Sequence, residues 1–189
     1  MDACKSHYRI MLYILLLLLL AALALGNLAS NLSCRPTSSC SCKQNASYFA
    51  VSCRKNSVVD EEELSEKLNS LLLLYSNLTL GGLTHLTIVN TPLRHVPRSV
   101  CHLTTLEYLY LDNNQLTGLP DDCFPRLKRL EYLTATGNKI ERLEDGLFDG
   151  LEELYYLNFS RNRISEIGLR SICHVTTLVH LYLDNNQLT

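Results

Sequence analysis

The chain has 189 residues, a formal net charge of −2, 47% hydrophobic content, eight Cys and no Trp. Seventeen basic residues against nineteen acidic ones argue against a nucleic-acid binder, which carries a basic patch or stripe, and this much apolar content excludes a disordered chain. Leucine fills 41 positions, about twice ordinary usage, so the chain holds either membrane helices or a repeating fold.

Residues 1–26 read as a secretory signal peptide. Met1 to Arg9 is polar and carries Lys5 and Arg9, and Ile10 to Leu25 is a run of 16 apolar residues. Ala24-Leu25-Gly26 then sets small residues at −3 and −1 of a cleavage site before Asn27. The rival is an uncleaved anchor, but a bilayer span needs about 20 residues. Either way the remainder is expected to be extracellular, secreted or at the cell surface, with oxidised cysteines. Export also gives meaning to four Asn-X-Ser/Thr sequons, at Asn31, Asn45, Asn77 and Asn158.

Residues 27–54 form a cysteine-rich segment, Cys34-x5-Cys40-x-Cys42-x10-Cys53. Four cysteines allow three disulfide pairings. A zinc site is the rival, disfavoured by an oxidising compartment and by the absence of Cys-x-x-Cys pairs. Residues 55–82 are an irregular connecting or capping segment. Within it Leu64, Leu68, Leu71, Leu72 and Tyr75 share one helical face, and Asp60 with Glu63 fits a capping box.

From residue 83 the chain repeats. The pattern L-x-x-L-x-L-x-x-N-x-L-x-x-L occurs as Leu106, Leu109, Leu111, Asn114, Leu116 and Leu119, then as Leu130, Leu133, Ala135, Asn138, Ile140 and Leu143. It returns as Leu154, Leu157, Phe159, Asn162, Ile164 and Ile167, and again as Leu178, Leu181, Leu183, Asn186 and Leu188. A looser copy is Leu83, Leu86, Ile88, Thr91, Leu93 and Val96. Residues 83–189 thus hold four complete repeats and a fifth that is cut short. Alternation in L-x-L predicts a short strand with one buried face. No repeat can bury its leucines alone, so neighbours must stack with parallel strands along one side. Where the chain turns out of each strand, an Asn amide supplies donor and acceptor to backbone groups that would otherwise lack partners.

Over Leu83 to Thr189 the sequence resembles a leucine-rich-repeat protein of the typical 24-residue animal class. The resemblance implies an α/β solenoid, a right-handed superhelix with its parallel sheet on the concave face. The cysteine segment resembles the N-terminal cap of extracellular members, which implies the pairs Cys34–Cys42 and Cys40–Cys53. Ser99 to Thr117 and Ser171 to Thr189 match at 15 of 19 positions, 72 residues apart. The chain therefore breaks off where its own duplicate continues, and it is expected to be a fragment whose last strand is left as an apolar edge prone to association. Cys101 and Cys123 fall on the back of adjacent repeats, where a disulfide can close; small buried thiols are the alternative. Cys173 is the duplicate of Cys101, and a partner for it is expected near position 195.

No catalytic constellation, phosphate loop or metal-ligand spacing is found, and neither an enzyme nor a cofactor is expected. The repeat register sets Tyr108, Tyr132, Tyr156 and His180 in one outward column of the concave sheet, after His85. Tyr110 and Tyr182 fall in the next column, and Asp112 and Asp184 in the one beyond. These eight, Tyr108 to Asp184, are the candidate ligand-binding residues, because Tyr combines large apolar area with one polar tip. The bland alternative is that outward aromatics only stiffen a sheet. Asn158 lies in the middle of the face, and a glycan there would shift binding toward Tyr108 and Tyr110 or to an edge. The expected function is recognition of a protein or other macromolecule, in a cell-surface receptor ectodomain that includes the Toll-like innate immune receptors among its possible kinds. The structural alternative is a secreted matrix protein. Membrane attachment is expected only through an anchor beyond Thr189.

Overall fold

The computed structural model describes residues 40–44, 48–53, 62, 64–66, 68–69 and 83–188. The signal peptide, Cys34, the sequons Asn31, Asn45 and Asn77, and the capping pair Asp60 and Glu63 lie outside them.

Strands β1 (Cys40–Gln44) and β2 (Tyr48–Cys53) form an antiparallel pair. Five strands then run parallel to β2, each at the start of a repeat: β3 (His85–Val89), β4 (Tyr108–Tyr110), β5 (Tyr132–Thr134), β7 (Tyr156–Asn158) and β9 (His180–Tyr182). Among the described residues the sheet order is β1-β2-β3-β4-β5-β7-β9. This is a solenoid built from one sheet edge outward, each turn adding one strand beside the last. The β1–β2 register sets Cys40 opposite Cys53, a backbone separation compatible with a disulfide. The pairings implied for the cap concern side chains outside the described ones.

One face of each strand is the core. Leu86, Leu109, Leu133 and Leu157 occupy one register column and are fully buried, as are Leu83, Leu106, Leu130 and Leu154 where each repeat begins. Each such leucine contributes about 1.5–3 kcal/mol by leaving water. Phe124, Phe148 and Phe159 run behind them, with ring centroids 6.0 and 5.9 Å apart. The returning limbs are narrow. They consist of 3-10 turns at Arg98–His102 and Phe124–Arg126 and a small parallel sheet of β6 (Arg142–Leu143) with β8 (Glu166–Ile167). In the connecting segment residues 62, 64–66, 68 and 69 are helical. Leu64 and Leu68 join the core while Glu62 and Glu66 face out. Ser99 ties this segment to the first limb, its N–H and hydroxyl donating to Asn69 Oδ1 at 3.2 and 2.9 Å.

The asparagine ladder holds successive turns in register. Asn138 Nδ2 donates to the carbonyls of Leu111 and Ala135, both at 2.9 Å, and its Oδ1 accepts from Leu116 N–H at 3.1 Å. Asn162 repeats the pattern on Ala135, Phe159 and Ile140, and Asn186 on Phe159, Leu183 and Ile164. Each amide therefore binds its own turn and the preceding one. Asn114 does the same for the Ile88 and Leu111 carbonyls, but its Oδ1 accepts from both the N–H and the hydroxyl of Thr91. Thr91 has no donor long enough to reach the strand carbonyls, as expected of the first rung. The residue before each rung is left-handed: Asn90, Asn113, Gly137, Arg161 and Asn185 all have φ between 55° and 70°. Gly137 is fitted to this twice over, since a Cβ there would lie 2.6 Å from Asn113 Oδ1.

Cys101 and Cys123 are disulfide-bonded across adjacent limbs, with Cα atoms 4.6 Å apart. Cys173 is free and exposed. The duplicated segments otherwise behave alike: Thr105 donates to the Leu83 carbonyl and Thr177 to the Leu154 carbonyl. At the β9 edge the core column opens, and Leu181 is 42% exposed where Leu157 is 0%.

Two outcomes test the frame. Asn138→Ala leaves the buried Leu116 N–H unpaired, at about 1–3 kcal/mol, and takes one of two amide donors from each of the Leu111 and Ala135 carbonyls, which keep Asn114 and Asn162. Urea unfolding is expected to show a loss of about 2 kcal/mol or more. Cys123→Ser opens a link between residues 22 apart, and the same measurement is expected to show a loss of about 2–4 kcal/mol.

Candidate functional site

The strands position the site because their alternation leaves the odd repeat positions on the outward face. The register aligns His85, Tyr108, Tyr132, Tyr156 and His180 in a single column across β3, β4, β5, β7 and β9. Their rings form a ladder, with centroid separations of 4.3, 5.0, 5.5 and 5.9 Å along it. The first three contacts are stacked and the last is tilted. Strand spacing of about 4.8 Å sets these distances, so identical ring positions on parallel strands stack without further adjustment. All five side chains remain half-buried, with their edges to solvent.

The neighbouring column is Thr87, Tyr110, Thr134, Asn158 and Tyr182. Tyr182 packs against Tyr156 with centroids 5.4 Å apart. Tyr110 makes no ring contact among the described residues and stands between two threonines in register. Asp112 and Asp184 lie past the strand ends and hold adjacent turns. Asp112 accepts from the Thr134 hydroxyl at 2.8 Å and from Thr136 N–H at 2.7 Å, and Asp184 accepts from the Ser160 hydroxyl at 2.5 Å. The Ser160 bond, then one from Asn185, keeps the Asp184 carboxyl below its usual range. The two aspartates are therefore structural braces as well as surface carboxylates.

Asn158 sits in the middle of the face, half-buried. Its Oδ1 accepts from Ser160 N–H at 3.0 Å, and its Nδ2, the glycan acceptor atom of a sequon, donates to the Tyr156 hydroxyl at 3.4 Å.

Three residues of the face were not among those the alternation pointed to. Tyr155 lies with its ring 5.1 Å from that of His180, and its hydroxyl is hydrogen-bonded to His180 Nε2 at 3.2 Å. Glu131 accepts from the Tyr108 hydroxyl at 3.5 Å, and Glu107 pairs with Arg129 at 3.0 Å. All three occupy the repeat position just ahead of the strand. Strict alternation would turn that position inward, but the strands begin one residue later. The signal was a tyrosine or glutamate, rather than a leucine, directly before each strand.

A strand-per-turn solenoid with an asparagine at every exit after the first is decisive together with the sequence profile that it satisfies. The profile described as Leucine rich repeat matches residues 81–140 and 136–188. The chain belongs to the leucine-rich-repeat family. No curated protein matches it. Leucine-rich-repeat domains commonly serve as protein-interaction modules, and solenoids of this kind are typically binding scaffolds without catalysis. Among the described residues no group of His, Cys, Asp and Glu is placed to hold a metal ion, and no helix is long and apolar enough to cross a membrane. The ion pairs Lys128–Glu152 at 2.7 Å and Arg142–Glu166 at 3.0 Å join neighbouring repeats through largely exposed side chains. Pairs this exposed contribute little to stability.

Tyr108 and Tyr110 are both held above the ordinary phenol value of 10.0, by burial first. For Tyr108 the next causes are Glu131, Tyr132 and Glu107; for Tyr110 they are Tyr132 and Asp112. A raised phenol favours the neutral form in the fold, so its contribution to stability is complete below pH 10 and is lost as pH rises through the folded-state value. Ultraviolet titration is expected to show two phenols ionising late. Tyr110→Phe should remove one of them and soften the alkaline loss of stability.

Proposed function

We propose that this is an extracellular recognition module that binds a protein or other macromolecule on the outward face of its sheet, without chemistry of its own. The observation that carries the proposal is the five-ring ladder His85, Tyr108, Tyr132, Tyr156 and His180. A stack fixed by backbone register offers a broad, rigid, amphipathic surface whose side chains have little rotamer freedom left to lose on binding. Sheet stiffening alone does not need the same ring type on three consecutive strands.

Export through residues 1–26 and capping by residues 27–54 complete the reading, with Asn31, Asn45, Asn77 and Asn158 as glycan acceptors and Cys34–Cys42 and Cys40–Cys53 as the cap disulfides. The module would belong to a cell-surface receptor ectodomain. The Toll-like innate immune kind and a secreted matrix protein are the finer alternatives, and both would use this face. A glycan at Asn158 would confine the ligand to the side of the face that carries Tyr108 and Tyr110.

The test is a binding screen of the secreted chain against an array of extracellular proteins. It is repeated with Tyr108→Ala/Tyr132→Ala/Tyr156→Ala and with Lys128→Ala on the exposed pair away from the face. The triple variant is expected to weaken the captured interaction at least about tenfold, as loss of interface anchors does, while Lys128→Ala binds normally. A ligand held equally by both variants rules out the face. Retention of the wild-type chain inside the cell rules out the extracellular reading.

A further inference from the structure

The face is not uniform, and its asymmetry points to the chemistry of the partner. Around β4 and β5 it carries three carboxylates, Glu107 and Glu131 ahead of the strands and Asp112 behind them. One guanidinium accompanies them, Arg129, and it is already paired with Glu107 at 3.0 Å. Three negative charges against one positive leave this part of the face two charges negative. Two cations of neighbouring turns have partners of their own: Lys139, which keeps its charge, donates to Gln115 Oε1 at 3.1 Å, and Arg161 acts on Asp184. His85 is stacked on Tyr108.

Tyr110 is the second element. Every other tyrosine of the face, from Tyr108 to Tyr182, has another ring within 6.0 Å. Tyr110 has none among the described residues, because the register sets Thr87 and Thr134 on either side of it. Its hydroxyl also makes no hydrogen bond there. A half-buried phenol ring lacking an aromatic neighbour, two residues from a carboxylate on the same face, is a receptor for a planar cation. Guanidinium stacks on the ring and hydrogen-bonds the carboxylate at once. The carboxylates beside Tyr108 and Tyr110 disfavour an anion there, and each pushes its phenol up.

We propose that Tyr110, Asp112 and Glu131 receive a basic, extended segment of the protein partner. An arginine side chain of that segment lies on the Tyr110 ring toward Asp112, and a second cation meets Glu131. This rests on the recognition reading above and narrows it to a partner chemistry. Tyr110 lies two strands from Asn158, so a glycan on that residue leaves the Tyr110 side of the face open.

The experiment uses the secreted chain and two fluorescein-labelled probes, nona-arginine and nona-glutamate, read by fluorescence anisotropy at low and moderate salt. Nona-arginine is expected to bind and to weaken as salt rises. Tyr110→Thr, which makes the position like its register neighbours, and Glu131→Gln and Asp112→Asn are each expected to weaken it at least about fivefold, the scale of one lost charge-assisted contact. Glu152→Gln, which removes an equal charge elsewhere, should leave binding within about twofold, a difference too small to amount to a contact. Absence of nona-arginine binding, equal binding by all variants, or tighter binding of nona-glutamate overturns the proposal. If nona-arginine fails while the array ligand is still lost in the triple tyrosine variant, the recognition reading stands and the basic partner falls. If nona-arginine binds through Tyr110 while no array ligand depends on the face, the proposal holds and the broader reading falls.

Discussion

The structure depends on a shortage of backbone partners at the strand exits. A three-residue strand must hand the chain to a return limb inside the core, where carbonyls of both the new turn and the old one point at nothing. Asparagine is the side chain of the right reach with donors and acceptor on one planar group, and Asn114, Asn138, Asn162 and Asn186 each make at least three bonds to backbone groups across that gap. Because every rung joins two turns, it also fixes the offset of one strand against the next. The stacked rings on the outer face and the leucine columns on the inner face both inherit that offset. Site and core are two sides of one registration.

That dependence shows where the molecule tolerates change. The left-handed position before each rung takes Asn, Gly and, at Arg161, an ordinary long side chain. Four of the five are Asn or Gly, which adopt this conformation most readily; at Arg161 the turn is imposed by the rung rather than chosen by local preference. The outward positions between rungs are less constrained. Thr87, Tyr110, Thr134, Asn158 and Tyr182 share one column and take three residue types. A scaffold of this kind can alter what it binds without altering how it folds.

Much of this was legible in the residues. The leucine spacing and the Asn at each turn yield the strands, their parallel stacking and the ladder without further information, because burial and hydrogen-bond satisfaction leave few alternatives. The outward column from Tyr108 to His180 was equally readable, since alternation decides which side a residue takes. The limits lie where alternation stops. Tyr155, Glu107 and Glu131 precede strands only three residues long, so a period of two carries no information about them. Whether Cys101 could reach Cys123 depended on how closely the limbs approach, which spacing along the chain does not encode. The bracing of Thr134 and Thr136 by Asp112 arises between residues more than 20 apart, and no local pattern announces it.

The ring ladder also makes the protein its own reporter. The chain has ten tyrosines and no tryptophan, and six of the ten, Tyr108, Tyr110, Tyr132, Tyr155, Tyr156 and Tyr182, line the outward face. Near-ultraviolet circular dichroism, which in most proteins mixes signals from scattered indoles, here arises mainly from one asymmetric array of phenols. Any partner that slides between these rings, tilts them or seals them from water changes that spectrum directly. The surface proposed for recognition is also the chromophore, and occupancy can be followed on the unlabelled molecule.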